Sequence, residues 1–149
     1  MSQSSIVLQY LPPDAQENAA RLRHKLSYYA DSSDLAQDLA AGIETLVVID
    51  TRSAAQYQAG HICGAISFPH REMTEETLSR LNAGHVYVTY CDGIGCNGST
   101  RGALKLASNG FKVKELIGGL DFWRRDNHPM AQGAEPGSWP QTAAPDCGC

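Results

Sequence analysis

The 149-residue sequence contains no lysine or arginine block and no apolar run long enough to span a bilayer. With a net charge of −4 and a pI near 5.7, the first absence speaks against nucleic acid as a partner, although a local positive pocket for a small anion stays open. The second speaks against a membrane protein. The opening stretch MSQSSIVLQYLPP also lacks the basic start and apolar core of a secretory signal, so a cytoplasmic location is expected. There is no internal repeat. Charged residues make up only 19% of the chain and hydrophobic ones 42%, the balance of a folded soluble chain rather than a disordered one. At this length one compact domain can bury a core without disulfide or metal staples.

What the sequence does have is five cysteines, at positions 63, 91, 96, 147 and 149. The odd number excludes complete internal pairing, and in a reducing compartment such thiols are catalytic, metal-bound or buried. Neither the Cys-x4-Cys spacing of Cys91 and Cys96 nor the Cys-x-Cys of Cys147 and Cys149 is that of a zinc knuckle, so no metal and no cofactor is expected. The terminal pair has two readings: an end without function, or a thiol pair that accepts sulfur, binds a soft metal or closes a reversible disulfide.

Helical periodicity comes first along the chain. Residues 12–30 read as a helix entered through prolines, with Asp14 and Glu17 at capping spacing and Ala15, Ala19, Leu22, Leu26 and Tyr29 on one face. A second helix runs from the cap candidate Ser33 to Gly42. Two short β-branched apolar runs, 46–50 and 85–91, suit strands buried on both faces. Between them lie a helix over 53–60, an extended piece at 65–69 and a helix over 73–84. A helix over 99–110, a strand at 112–117 and a helix around 120–126 follow. This alternation predicts an α/β fold with three layers, a central, largely parallel sheet flanked by helices. The predicted organisation is a helical extension over 1–42, a main domain over 43–130 and an irregular tail over 131–149 ending in Cys-Gly-Cys.

The stretch YCDGIGCNGSTRG, residues 90–102, falls where the second strand hands over to a helix, which is where open α/β sheets bind ligands. Glycines 93, 95 and 98 let successive N–H groups turn into one concavity, and the helix entering near Ser99 adds its positive end. Such a cradle favours an anion and would hold a cysteine as thiolate. Cys96 lies five positions before Arg101, within one loop turn of it, whereas Cys91 lies ten positions before it. That spacing selects Cys96 as nucleophile, with Asn97, Gly98, Ser99, Thr100 and Arg101 as substrate-binding residues. Cys91 ends the strand; its two readings are a packed thiol and a neighbour that resolves an oxidised Cys96.

Three separated stretches carry a family resemblance. The first is Asp50-Thr-Arg52, then Tyr57, then Gly60-His61-Ile62-Cys63-Gly64-Ala65-Ile66 with Phe68-Pro69. The second is Cys96 to Arg101. The third is Leu116-Ile117-Gly118-Gly119 with Trp123 and Pro129. In this order they resemble a single-domain rhodanese, over residues 44–130. The resemblance implies a sulfurtransferase that takes sulfane sulfur from thiosulfate or a similar small sulfur-containing anion. The persulfide formed on cysteine then passes to cyanide, a thiol or a protein thiol partner. It also implies structural parts for Asp50, Arg52, Gly60, His61, Gly64, Gly118, Gly119 and Trp123. Two departures stand out. Cys63 replaces the usual proline, and the nucleophile of the family ordinarily follows the strand directly, as Cys91 does, so strand position selects Cys91 while loop length selects Cys96. The resemblance leaves a second function class, a low-turnover sulfur-carrier or redox-sensing module. Related phosphatases and arsenate reductases are disfavoured because five residues separate cysteine from arginine there. His61 reads as a backbone-bonded histidine more readily than as a proton carrier, and His70 and Arg71 as loop residues that could rim the pocket.

Overall fold

The computed structural model describes residues 3–141; the Cys147–Cys149 pair falls outside them. The chain opens with a short 3-10 turn at Val7–Gln9 and helix α1 (Ala15–Tyr28). The Asp14 side chain accepts from the amides of Gln16 and Glu17 at 3.2 and 3.5 Å and so starts α1 where capping spacing predicts. The apolar face of α1 is not covered, however: none of its residues is buried, and Leu22 and Leu26 are 51% and 74% exposed.

The next element differs from expectation. The pair Tyr29–Ala30 forms a short strand, β1, so the segment predicted as a purely helical lead-in also contributes to the sheet. Helix α2 (Ser32–Ala40) is capped by Asp31, which accepts from the Asp34 amide at 2.7 Å. Ser33, the expected cap, lies inside the helix with its hydroxyl buried, because the aspartate two residues earlier reaches the free amide first. The alternation then proceeds as β2 (Leu46–Asp50), α3 (Ala54–Ala59), β3 (His61–Ile62), β4 (Ile66–Ser67), α4 (Glu75–Leu78), β5 (Val86–Tyr90), α5 (Gly98–Ser108), β6 (Lys112–Leu116), α6 (Gly119–Arg125) and β7 (Met130–Ala131).

Five strands form one sheet in the order β1-β6-β5-β2-β4, and every neighbouring pair is parallel. Val48 stands beside Val88 and Ile49 beside Thr89. Because side chains alternate along a strand, β2 feeds two cores. Val48 joins Val88, Tyr90, Leu35, Leu116 and Trp123 on one face, and Ile49 joins Tyr87, Met73, Leu78 and Leu106 on the other. The apolar runs of β2 and β5 are thus buried on both sides, as parallel strands require. Among the described residues no helix is long and apolar enough to cross a membrane.

Two predicted segments differ in part from expectation. The helix expected over 73–84 is a single turn. After it Arg80 bonds to the Thr77 carbonyl and Leu81 to that of Leu78, a tighter three-residue spacing, and the Asn82 side chain takes the Gly84 amide at 2.8 Å to turn the chain into β5. The described part of the tail, residues 131–141, expected to be irregular, is so except where it enters strand β7, and it is tied to the domain at several points. Strand β7 pairs antiparallel with β3, Gly64 N–H donates to the Pro136 carbonyl at 2.8 Å, and Cys63 Sγ to that of Ser138 at 3.2 Å. Trp139 meets Trp123 edge to face with ring centres 6.3 Å apart.

Candidate active site

The carboxyl ends of β2 and β5 lie side by side, and the segment from Cys91 to Asn97 links β5 to α5 above them. Cys91 and Cys96 are joined there by a disulfide, with Cα atoms 6.2 Å apart. Cys91 is buried at the strand tip, only 5% exposed, while Cys96 is half-buried in the loop. Gly98, the first residue of α5, faces both sulfurs: a Cβ there would lie 3.2 Å from Cys91 Sγ and 3.4 Å from Cys96 Sγ. Its amide points at Cys96 Sγ, 3.4 Å away. Both sulfurs therefore sit against the positive end of an eleven-residue helix.

The base of this loop is held from two sides. On one side the first amides of α6 clamp it, Leu120 N–H donating to the Cys91 carbonyl at 2.9 Å and Asp121 N–H to that of Asp92 at 2.8 Å. The clamp needs close backbone approach. Gly119 has φ of +59° and no room for a side chain, since a Cβ would stand 2.5 Å from the Cys91 carbonyl oxygen.

On the other side stands a buried charge cluster. Asp50 is fully enclosed and accepts from the Arg52 amide at 2.9 Å, from Arg52 Nη2 at 2.8 Å and from the Tyr90 hydroxyl at 2.7 Å. Arg52 also donates to the Gly60 carbonyl through Nη2, at 2.6 Å, and to Asp92 through Nη1, at 3.0 Å. Burial alone would make Arg52 easier to deprotonate, but its bonds to Asp50 and Asp92 outweigh this and raise its pKa above the ordinary arginine value. Burial, and then the charge of Asp50, likewise push the Tyr90 phenol up. Arg52 is thus committed to bracing the loop through Asp92, which directly follows Cys91.

Above the sulfurs opens a recess of about 430 Å³ whose lining includes Arg52, Gln56, His70, Arg71, Cys91 and Cys96. The 68–72 segment that forms its rim is fixed to the strand tips by Phe68 N–H to the Asp50 carbonyl and His70 N–H to that of Thr51, and by Lys105 Nζ to the His70 carbonyl at 2.6 Å. His70 titrates below its usual range because of partial burial first, then the positive charges of Lys105, Arg71 and Arg101. A neutral imidazole and the exposed guanidinium of Arg71 therefore flank the entrance.

The predicted site residues divide. Cys91, Cys96 and Gly98 converge on one point. Ser99 and Thr100 turn away, their hydroxyls bonding Glu115 of β6 at 3.2 and 2.6 Å. Asn97 and Arg101 are exposed and neither lines the recess. The reason is that α5 begins at Gly98, with Arg101 N–H already donating to the Asn97 carbonyl at 3.0 Å, so Asn97 to Arg101 form a helical turn and not a loop around an anion. The expected loop-length argument for Cys96 loses its basis there. His61 stacks on Tyr57 at 3.7 Å, and its ring nitrogens face the carbonyls of Tyr57 and Pro136. It is occupied structurally, as is Trp123, whose Nε1 donates to the Pro129 carbonyl. Gly60 and Gly64 frame β3, and Gly118 at φ of +80° enters α6. Cys63 is a free, buried thiol whose pKa burial raises. Sequence reasoning missed Asp92 altogether and gave Arg71 no part beyond rimming the pocket; adjacency to a strand-end cysteine is the signal that points to Asp92.

A family described as Rhodanese-like domain matches residues 33–126. The chain belongs to the rhodanese-like family. Among solved structures, the BH2092 protein from Bacillus halodurans is similar at 41% identity and a TM-score of 0.78, over 81% of this chain and 88% of that one. A full-length protein from Lactobacillus plantarum is similar at 27% identity and a TM-score of 0.69, over 80% of this chain and 99% of the other. A thiosulfate sulfurtransferase from Pseudomonas aeruginosa matches at 24% identity and a TM-score of 0.62, over 77% of this chain and 21% of that one, a likeness of fold. The HTH-type transcriptional regulator Rv0324 of Mycobacterium tuberculosis is 39% identical over 98 residues, 65% of this chain. The chain spans 42% of that relative's length. This rhodanese-like domain thus has the sulfurtransferase type of fold, with its paired cysteines at the strand-to-helix turn.

Proposed function

We propose that this rhodanese-like protein is a cytoplasmic sulfurtransferase that takes sulfane sulfur from thiosulfate or a similar small anion as a persulfide on Cys91. The observation that carries this reading is the position of Cys91, at the tip of β5 beside Gly98 at the start of α5, with Arg71 at the mouth of the recess above it. The thiolate attacks the outer sulfur of the donor, the S–S bond breaks, and sulfite leaves with the electron pair. The helix end offsets the negative charge of the thiolate and of the persulfide that replaces it. Arg71 attracts the anionic donor, and Asp92, tied to Arg52, holds the base of the loop while the sulfur arrives. Cyanide or a thiol, including one on a partner protein, then removes the outer sulfur.

The test is a single turnover of the reduced protein with thiosulfate, reading sulfite released and intact mass. Wild type releases one equivalent of sulfite, and Cys91→Ser releases none. Sulfite from Cys91→Ser at the wild-type rate would move the nucleophile elsewhere, and none from wild type would end the thiosulfate reading. A second reading, a sulfur- or redox-responsive module with little turnover, draws on the Cys91–Cys96 disulfide and on the similarity to a transcriptional regulator. It predicts one equivalent of sulfite without sustained catalysis.

A further inference from the structure

We propose that Cys96 is an internal acceptor for the sulfur that Cys91 captures, so that the protein discharges it as hydrosulfide and is left as the Cys91–Cys96 disulfide. This rests on the persulfide reading above and extends it to the fate of the sulfur. In the step, the Cys96 thiolate attacks Sγ of the Cys91 persulfide. The Sγ–Cys96 bond forms, the bond to the outer sulfur breaks, and the electron pair and the persulfide proton leave together as HS⁻. In this step the outer sulfur is reduced and the Cys96 sulfur is oxidised; Cys91 Sγ was already oxidised when it took the sulfane sulfur and sulfite left. A dithiol reductant returns the pair to thiols and is itself oxidised to a disulfide, so one turnover converts thiosulfate and a dithiol into sulfite, hydrosulfide and the oxidised dithiol.

Three observations carry it. The two sulfurs are bonded to each other within the folded protein, so the product of the step is a state this fold accommodates with its charge cluster and loop clamp in place. The two thiols also differ in their setting. Cys91 is fixed by the α6 amides and by its neighbour Asp92, while Cys96 lies beyond Gly93-Ile94-Gly95, where Ile94 is 81% exposed. The buried partner suits a nucleophile that holds sulfur, and the loop partner suits a thiol that approaches it. Finally, Gly98 leaves room beside the sulfur pair for the two to meet: both lie within 3.4 Å of where its Cβ would stand, so a side chain there would crowd them. Cys63 is the other described cysteine, and its Sγ faces the Ser138 carbonyl instead.

The experiment is an anaerobic single turnover of the reduced full chain with one equivalent of thiosulfate and no added thiol. Sulfite, sulfide and intact mass are followed for wild type, Cys96→Ser, Cys96→Ala and Cys91→Ser, with peptide mapping of the product and circular dichroism to confirm the fold. Wild type is expected to release one sulfide for each sulfite and to become lighter by two hydrogens, with a Cys91–Cys96 cross-linked peptide. Both Cys96 variants are expected to release sulfite but at least tenfold less sulfide, and to keep the mass of one added sulfur on Cys91. If wild type keeps the added sulfur with Cys96 free, the internal-acceptor step is wrong while the sulfurtransferase reading stands. Sulfide release from the Cys96 variants at the wild-type rate overturns it equally, as does sulfur held on Cys96 in Cys91→Ser. If no protein releases sulfite, the sulfurtransferase reading falls and this inference falls with it.

Discussion

Replacing Asp50 with asparagine removes one negative charge from the centre of the buried cluster and leaves its shape nearly unchanged. In the native protein that carboxylate accepts from the Arg52 amide and guanidinium and from the Tyr90 hydroxyl, and it is fully enclosed. Without it the guanidinium, whose side chain is 5% exposed, keeps a charge partner only in Asp92 at the edge. Breaking a buried pair from one side costs about 3–5 kcal/mol. The outer half of the same arginine behaves differently. Asp92 is 51% exposed, so its ion pair is worth about 0–1 kcal/mol, and Asp92→Asn should be nearly neutral for stability. With a urea slope of about 2 kcal/mol/M, Asp50→Asn should lower the unfolding midpoint by roughly 1.5–2.5 M, and Asp92→Asn by less than about 0.5 M. Equilibrium urea titration followed by circular dichroism measures both. Equal midpoint shifts for the two variants would refute the division of Arg52 into a stabilising inner half and a positioning outer half.

Gly119→Ala forces a Cβ against the Cys91 carbonyl in a left-handed backbone position, so it should cost about 2 kcal/mol, lower the melting temperature by roughly 4–8 °C and slow sulfite release, read by calorimetry and single-turnover assay. Arg71→Ala should raise KM for thiosulfate roughly 3- to 30-fold with kcat little changed, because an exposed guanidinium at the entrance acts on donor binding; added salt should narrow the difference. His70 is held below its ordinary value of 6.5, so between that lowered value and pH 6.5 the unfolded chain binds a proton that the folded one refuses. Stability should therefore be fully present above that window and fall as pH drops through it, and His70→Gln should flatten the dependence of urea midpoints on pH. For Cys96→Ser, thiocyanate formed per sulfite in the presence of cyanide should rise, because the persulfide is no longer drained internally; an unchanged ratio would count against the competition.

Much of the fold was legible because its signals are local. The apolar runs of β2 and β5, the Asp14 cap and the glycines that close α2 and α5 each act within a few residues, and each appears where the sequence places it. The site was legible only to the level of its two cysteines and Gly98. Choosing between the cysteines depends on where α5 starts, and a count of residues from Cys96 to Arg101 is blind to whether those residues are loop or helix. Once Gly98 opens the helix, Arg101 is carried away from the sulfurs. The bond from Arg52 to Asp92 spans 40 residues, so no spacing rule reveals it. The same holds for the pinned tail, whose carbonyls at Pro136 and Ser138 meet donors on Gly64 and Cys63 across the chain. An edge strand of two residues such as β1 carries too little periodicity to register, and its pairing with β6 comes from position alone.

The contact between Trp123 and Trp139 gives the protein an optical property of its own. These are the chain's two tryptophans, and they meet at a single place, where the C-terminal segment lies on α6. All indole emission therefore originates at one joint, and the helix on one side of that joint is the one whose first amides grip Cys91 and Asp92. Loss of that grip has a rigid element through which to reach the fluorophores. The intrinsic fluorescence of the unlabelled protein becomes a gauge of how firmly the sulfur-bearing turn is seated, read from the opposite end of the helix.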